Sequence, residues 1–568
     1  MRHAPTASAL WRLGEIAASC YLRDCMQRAF YAVAVLALAC LLLRSARVGL
    51  AGDYVDPIGK ITAQDEALYA HSAIRMARQG NWLTPFFMGR YALYKPPMLM
   101  WAAGLSARIL GVSRLALRLP VALLASLGLG LVFLWVAELR SWQAAACAAV
   151  LVASNHLWHV LGGMCMTDGI LVACYIAAMY CLYSDPWLES RSALWGFAAA
   201  VSGAILTKSV AGILPLGALG LYWLAAPRKE RPAFARVCLA AGLSLALAAP
   251  WFVYQAAVHG RWFWAEHINV EILAFGAGAP PQTSRENQAL FYLMRVPGVD
   301  PVLTAIALVA LPGFLGELRK RSGPAVLLAC WMAMVVAAIL AFQYRNISYM
   351  LPIVPALAIL ATGYGPYTEG RRSMWMLAFV CAAFVWKAAF PSAPWGLSFQ
   401  RGTIQAVAPL VSDYCARGRA NELILVGMDD DLYASTLPLA KLRYGLVGGN
   451  LNGGRYGMPF DSMGIVLTAA QFDDPARWTP VFRDRLRQWG IDSEEPIGTL
   501  ITAASPEELA QMIRAHPDSD FLVPARYRSA VEEAAHANHE IVEAPEHFFL
   551  LSRQRTARAG APAWSCRM

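Results

Sequence analysis

Arg319-Lys320-Arg321 stands just ahead of Pro324-Ala325-Val326-Leu327-Leu328-Ala329-Cys330-Trp331-Met332-Ala333-Met334-Val335-Val336-Ala337-Ala338-Ile339-Leu340-Ala341-Phe342, an uncharged run of nineteen residues. As a helix, such a run reaches about 28 Å at 1.5 Å per residue, close to the roughly 30 Å of bilayer hydrocarbon. The three cations before it mark a cytoplasmic end, because short loops rich in Lys and Arg stay inside. Apolar runs recur at 29–46, 97–112, 117–137, 142–160, 169–184, 192–207, 211–226, 236–257, 299–316, 324–343, 348–365 and 373–391. The 568 residues are 58% hydrophobic with a mean hydropathy of +0.43, and 15% are charged. A soluble chain carries about 25% charged residues. Beyond residue 391 charges, Gly and Pro become frequent and no run is long enough to span. The expectation is a polytopic α-helical membrane domain over 1–391, followed by a soluble mixed α/β domain over 392–568 that is large enough for one core.

Two further basic clusters, Arg228-Lys229 with Arg231 and Arg236, and Arg371-Arg372, belong on the same side as Arg319–Arg321. Counting outward from them places 259–298, Asp168 and the C-terminal domain outside. The first 28 residues carry Arg12, Arg23 and Arg28 without a small-residue cleavage site, and read as a cytosolic amphipathic leader. An even number of crossings then separates 29–46 from Asp168, where three candidates are available. Segment 97–112 is the weakest: it opens on Pro96-Pro97 and contains Ser106 and Arg108. It is assigned to the outer interface as a juxtamembrane helix. About eleven crossings result, and broken helices extend the range to about 11–13.

This assignment creates a large external loop, 47–116. Between Arg44 and Arg118 the sequence has ten Lys and Arg against four acidic residues. Long loops escape the positive-inside rule, which is the bland explanation. The sharper one is that the loop gathers anionic ligands, since phosphate recognition uses these side chains. The net charge of +10 is assigned to orientation and lipid head groups, not to nucleic acid.

Five elements fall on this outer face. Asp65-Glu66 with Tyr69 opens an amphipathic helix continuing through Ile74 and Met76; paired carboxylates there are also ordinary partners of a helix dipole. Tyr94-Lys95-Pro96-Pro97 holds a lysine in an extended turn at head-group height, against ordinary snorkelling as the alternative. Asp168, in Met166-Thr167-Asp168-Gly169, lies at the mouth of a span, where an ionisable residue is a functional candidate or a helix cap. The loop Trp262-Phe263-Trp264-Ala265-Glu266-His267 carries a polar pair behind boundary aromatics. Arg345 and Tyr349 stand at the outer start of 348–365, suited to a phosphate or simply to anchoring a helix end. No series of charged residues runs through the spans, as a proton relay needs, so transport is disfavoured. His156 and His159 are two potential ligands and do not make a metal site. No CxxC pair occurs, and most of the twelve cysteines lie in apolar runs as small hydrophobes. Cys415 and Cys566 are able to pair if their domain faces an oxidising compartment.

Asp65-Glu66…Tyr69, Lys95-Pro96-Pro97, Thr167-Asp168-Gly169 and Leu206-Thr207-Lys208 occur in an order that resembles bacterial members of the protein O-mannosyltransferase-like superfamily, which have the GT-C fold. Glu266-His267-Ile268 and Ser348-Tyr349-Met350-Leu351-Pro352 look most like the 4-amino-4-deoxy-L-arabinose lipid A transferases among them. The resemblance covers the membrane domain well. It implies transfer of aminoarabinose from undecaprenyl phosphate to a lipid A phosphate at the periplasmic face of a bacterial inner membrane, with inversion in a single displacement. It further implies Asp65 and Asp168 as catalytic carboxylates, and Lys95, Arg345 and Tyr349 as ligands of the donor's lipid phosphate. Glu66, Tyr69, Tyr94, Glu266 and His267 become supporting or substrate-positioning residues. No cofactor is specified, and a divalent metal is left open. The sequence departs from the pattern at Leu68, where an arginine often precedes the tyrosine, at Tyr94, where a glutamate can precede the lysine, and at Val270, often arginine. Two other readings use the same residues: a different polyprenyl-phosphate-sugar transferase, such as a mannosyltransferase, and a polyprenyl-lipid transporter.

In the C-terminal domain, Asn421–Gly427, Asp518–Pro524 and Phe548–Leu551 read as strands around a helix at Tyr527–His539. Asp429-Asp430-Asp431 reads as an acidic turn rather than a cation site.

Overall fold

The computed structural model of the chain describes residues 63–87, 90–112, 114–264, 267–268, 272, 288–342, 346–367, 370–390, 423–426, 443–445, 464–467, 501–503, 506–536, 538–544 and 548–553. Segment 29–46, Glu266, Val270, Arg345, Asp429–Asp431, Cys415 and Cys566 lie outside the described residues. Among those described, seven helices are long and apolar enough to cross a membrane: Leu115–Leu139, Thr167–Ser184, Arg191–Gly212, Phe234–Gly260, Pro301–Arg319, Gly323–Ala341 and Arg371–Ala389. Shorter apolar helices at Met98–Leu110, Trp142–Ala153, Leu214–Ala225 and Ile347–Gly363 lie among them.

In chain order the helices are α1 (Ala63–Gln79), α2 (Met98–Leu110), α3 (Arg114–Leu139), α4 (Trp142–Ala153), α5 (His156–Leu161), α6 (Thr167–Ser184), α7 (Arg191–Gly212), α8 (Leu214–Ala225) and α9 (Phe234–Phe263). They continue as α10 (Gln288–Val299), α11 (Pro301–Arg319), α12 (Gly323–Ala341), a 3-10 turn (Ile347–Met350), α13 (Ile353–Gly363) and α14 (Gly370–Ala389). A two-residue hairpin, β1 (Phe86–Phe87) with β2 (Arg90–Tyr91), interrupts the loop before α2. Polar residues set the helix starts. Ser141, Ser190 and Asp300 each accept a backbone N–H three residues on, satisfying a donor that has no intrahelical partner. The expected single span at 142–160 is in fact two helices. Asn155 accepts the Trp158 N–H at 3.2 Å and starts α5 afresh. A capping side chain inside an apolar run has ended one helix and begun another.

At thirteen residues α2 rises about 20 Å, short of the hydrocarbon thickness. It packs closely on α1, since a Cβ at Gly104 would lie 3.0 Å from the Ala73 carbonyl oxygen. On its other side Leu105, Ile109 and Leu110 are exposed, Ile109 to 71%.

Two sets of helix ends meet separately. At one end Arg140 Nε donates to the Gly363 carbonyl (2.5 Å), Trp187 Nε1 to the Lys229 carbonyl (3.0 Å) and the Tyr222 hydroxyl to the Glu230 carbonyl (2.9 Å). This end holds the basic clusters at 228–236 and 319–321. At the other end Trp101 Nε1 donates to the Trp82 carbonyl, and Trp251 Nε1 and Gln255 Nε2 both donate to the Leu83 carbonyl. These bonds fix the loop before the hairpin against α2 and α9. At the same end Lys387 Nζ donates to Asp300 Oδ2 (2.9 Å) and to the Ser154 carbonyl (3.0 Å), joining α14, α11 and the α4–α5 break.

The C-terminal residues form a seven-stranded mixed sheet in the order β6-β5-β4-β3-β7-β9-β8. Its strands are β3 (Leu423–Val426), β4 (Arg443–Gly445), β5 (Gly464–Leu467), β6 (Ile501–Ala503), β7 (Asp520–Pro524), β8 (His539–Ala544) and β9 (Phe548–Arg553). β3 runs parallel to β4 and β7, and the remaining pairs are antiparallel. Period-two alternation splits its side chains. Phe521, Val523, Phe549 and Leu551 pack under α15 (Pro506–Ala515) and α16 (Arg528–Ala535). Leu522 and Leu550, between them, join the apolar cluster of the membrane helices. The predicted helix at Tyr527–His539 is shorter: it spans Arg528–Ala535 with His536 as its C-cap, and His539 already begins β8.

The Asp300–Lys387 pair is only 2% and 4% exposed, so each charge depends on the other. Lys387→Met should lower stability by roughly 3–5 kcal/mol, because it leaves a buried carboxylate unpaired. Adding Asp300→Asn, which keeps the cap and removes the charge, should recover most of that loss. Thermal unfolding in detergent reads both effects, and an unchanged midpoint for Lys387→Met would contradict the assignment.

Candidate active site

Three acidic or basic positions from the sequence come together around the start of α6. Glu66, on α1, receives a bidentate pair of hydrogen bonds from the Arg118 guanidinium of α3, and the Cys165 N–H donates to its Oε1 at 2.7 Å. Both side chains are buried. Glu66 therefore joins α1 and α3 to the turn that leads into Asp168. It acts as a support whose carboxylate is already engaged. Asp65 precedes it in the same helix, about 100° away around the axis.

Asp168, in the first turn of α6, accepts a hydrogen bond from Lys208 Nζ at 3.0 Å, with the two side chains 7% and 15% exposed. The same ammonium lies 4.9 Å from the ring centroid of Tyr349, which the 3-10 turn supplies. Lys208 reaches this position because α7 is not a plain helix. Lys208 (φ −148°, ψ 42°) and Ser209 (φ 37°, ψ −109°) are non-helical. A serine at positive φ costs of order 1–3 kcal/mol, so its surroundings must hold it there. The Tyr175 hydroxyl donates to the Ala211 carbonyl. A Cβ at Gly212 would run into the backbone of Ala204 and Ile205, so glycine alone fits the fold-back. Ser209 Oγ lies 2.8 Å from His267 Nε2.

His267 completes the arrangement. Its Nδ1 lies 3.0 Å from the Leu93 carbonyl, an acceptor only, so Nδ1 carries the proton and donates. Nε2 then accepts from the Ser209 hydroxyl. The ring stacks on Phe263 at 5.0 Å and 14°, with Trp251 and Phe252 at its edges. Burial, together with the nearby Lys95 ammonium, pushes its pKa down to about 4 despite the hydrogen bonds to Leu93 and Tyr94, which act the other way. Lys95 thus lies within electrostatic reach of His267, in the turn directly after Leu93 and before α2. Tyr94 and Tyr69 are buried. Both imidazole nitrogens are engaged, so His267 offers no lone pair to a metal. Among the described residues no three His, Cys, Asp or Glu side chains converge as a metal set.

Lys208 and Ser209 are site residues whose role the sequence does not announce. Beyond the motif Leu206-Thr207-Lys208, which attaches no role to the lysine, the signal is a lysine between two apolar runs, which reads equally well as a turn. Chemically the site offers two ammonium groups, one carboxylate paired to one of them, and an aromatic face. Such a set suits a phosphate-bearing ligand with developing charge.

Acid pH should expose the state of His267. Its folded value lies below the ordinary 6.5, so the unfolded chain binds more protons between pH 6.5 and about 4. The stability it contributes is complete above 6.5 and is lost as pH falls toward 4. His267→Gln should flatten this section of a melting-temperature profile, and an unaltered slope would rule out a neutral buried imidazole.

The chain matches, over residues 94–254, the family model of dolichyl-phosphate-mannose-protein mannosyltransferases. It is 26% identical over 318 residues to the undecaprenyl phosphate-alpha-4-amino-4-deoxy-L-arabinose arabinosyl transferase of Pectobacterium carotovorum, covering 53% of this chain and 54% of that one. To the protein of the same name from Erwinia tasmaniensis it is 27% identical over 363 residues, covering 59% and 62%. The chain therefore spans little more than half the length of these curated relatives. The crystal structure of ArnT from Cupriavidus metallidurans bound to undecaprenyl phosphate superposes with a TM-score of 0.63 at 16% identity, over 91% of this chain and 97% of that one. That likeness, together with the helical membrane domain and the C-terminal sheet, shows that the chain has the GT-C fold.

Proposed function

We propose that the chain is an integral membrane glycosyltransferase that moves 4-amino-4-deoxy-L-arabinose from undecaprenyl phosphate to a lipid A phosphate. The observation that carries this reading is the convergence of Lys208 on Asp168 and Tyr349, one imidazole away from the Lys95 turn. The names of the curated relatives supply the donor sugar and its lipid carrier. On this reading the site faces the periplasm from a bacterial inner membrane, with residues 392–568 as a periplasmic domain on the same side.

The donor is a phosphodiester between sugar and polyprenol. The acceptor phosphate oxygen attacks the anomeric carbon from the face opposite the donor phosphate. The bond between that carbon and the donor phosphate oxygen breaks, undecaprenyl phosphate leaves as an anion, and the anomeric carbon inverts. Fixed cations stabilise that anion, and Lys95 is the first choice, with Arg345 and Tyr349 in support. A phosphate acceptor is already largely ionised near neutral pH, so a strong base is not required. Asp65 orients the acceptor or takes its residual proton. Asp168 stabilises positive charge on the sugar while holding Lys208. Glu66, Tyr69, Tyr94, Glu266 and His267 hold these groups in place.

Purified chain supplied with undecaprenyl-phosphate-linked aminoarabinose and lipid A should form modified lipid A. Lys95→Ala and Asp65→Asn should each lower the rate by roughly 10²-fold or more. Full activity in either variant removes that residue from the mechanism. The family match over 94–254 favours a second reading, a mannosyltransferase using a polyprenyl-phosphate donor. Transfer from polyprenyl-phosphate mannose and none from the aminoarabinose donor would select it. Donor binding without any transfer would instead point to a lipid carrier.

A further inference from the structure

We infer that His267 is a positioning residue, a neutral bridge that ties the Lys208–Ser209 kink to the Leu93–Lys95 turn and so fixes the separation of the two lysine ammonium groups. The inference rests on the donor-phosphate reading of the site and adds to it what sets the spacing of the cations.

A lysine at the end of four methylenes is a flexible point charge. Two such charges make a defined anion site only if their backbones are held in a common frame. Lys95 and Lys208 belong to elements far apart in sequence, a turn before α2 and a break in α7. The imidazole connects those elements directly. Nδ1–H donates to the carbonyl of Leu93, two residues before Lys95, and Nε2 accepts from the hydroxyl of Ser209, adjacent to Lys208. The two nitrogens of a neutral imidazole, one donor and one acceptor, match this pair of partners.

Two features mark the bridge as built for position. Ser209 sits at φ 37°, a conformation that serine adopts only under constraint, and its hydroxyl is the atom that meets the imidazole. The ring itself is fixed by parallel stacking on Phe263 and is only 1% exposed. With both nitrogens engaged and the ring enclosed, His267 is not placed to exchange protons with a bound lipid. Its effect on an anion passes through the two backbones it joins.

The test is binding of undecaprenyl phosphate to the purified full chain in detergent, which needs no sugar or acceptor. Ser209→Ala removes the hydroxyl and keeps the side-chain volume close. His267→Phe keeps the stack and removes both hydrogen bonds. Each should weaken binding about tenfold while the melting midpoint stays within a few degrees. In a Lys208→Met background, which has already lost the ammonium, Ser209→Ala should have little further effect. That non-additivity separates positioning from a general loss of packing. If Ser209→Ala and His267→Phe bind like the unaltered chain while Lys208→Met binds weakly, the bridge is overturned and the donor reading stands. Additive losses in the double variant also overturn it. If the unaltered chain does not bind undecaprenyl phosphate, the donor reading fails and the inference fails with it.

Discussion

A backbone that crosses hydrocarbon has to hydrogen-bond to itself, because there is no water to take an abandoned N–H or carbonyl. Non-helical backbone at membrane depth is tolerated only where protein encloses it or a cavity needs it. Here the breaks collect at one end of the bundle. Ser154-Asn155 divides α4 from α5, Lys208-Ser209 bends α7, Gly260 turns α9 at φ 50°, and the 3-10 turn at Ile347–Met350 precedes α13. Substitute partners accompany them. Asn155 accepts the Trp158 N–H, Ser209 meets His267, and Asn346 accepts the Ser348 N–H while donating its own to the Tyr292 hydroxyl. The bundle departs from regular helix where it presents Asp168, Lys208 and Tyr349, and the opposite end is joined by simple inter-loop hydrogen bonds.

Among the described residues, three buried ion pairs share this end and divide the work. Glu66 with Arg118 and Asp300 with Lys387 are closed sets. Each carboxylate also accepts a backbone N–H, from Cys165 and Leu303 respectively. Desolvated pairs of this sort contribute little net stability over apolar packing, but removing one member is costly. Their value is positional: one fixes α1 and α3 to the turn before Asp168, the other fixes α14 and α11 to the α4–α5 break. Asp168 with Lys208 has the more exposed cation, and that ammonium also meets an aromatic face. Of the three pairs it is therefore the one whose cation the fold encloses least.

The helices were legible because a span is a local property of composition. Predicted 117–137 is observed as Arg114–Leu139, and 169–184 as Thr167–Ser184. The break at Asn155 was not, since one asparagine in an apolar run gives no sign of whether it caps a new helix or faces a neighbour. Asp168 at the mouth of a span, His267 in an aromatic loop and Lys208 in a motif could each be singled out, whereas their pairings could not. Glu66 and Arg118 lie 52 residues apart, Asp168 and Lys208 40, and His267 and Leu93 174. Those pairings exist only once the bundle has packed. Leu93 takes part through its carbonyl, a group every residue has, so no residue type could have announced it.

The sheet at the C-terminal end follows the same logic of enclosure. A strand with apolar residues on both faces needs two covers. Phe521 and Val523 find one in α15 and α16, which the domain supplies itself. Leu522 and Leu550 point the other way and are buried in the cluster built by the membrane helices. A domain that folded independently and hung from a linker would have no reason to present leucines there. The alternation therefore makes the helical bundle a wall of the domain's own core. Any movement of this sheet away from the bundle must expose those leucines, so sheet and bundle are energetically coupled by packing as well as by the chain between them.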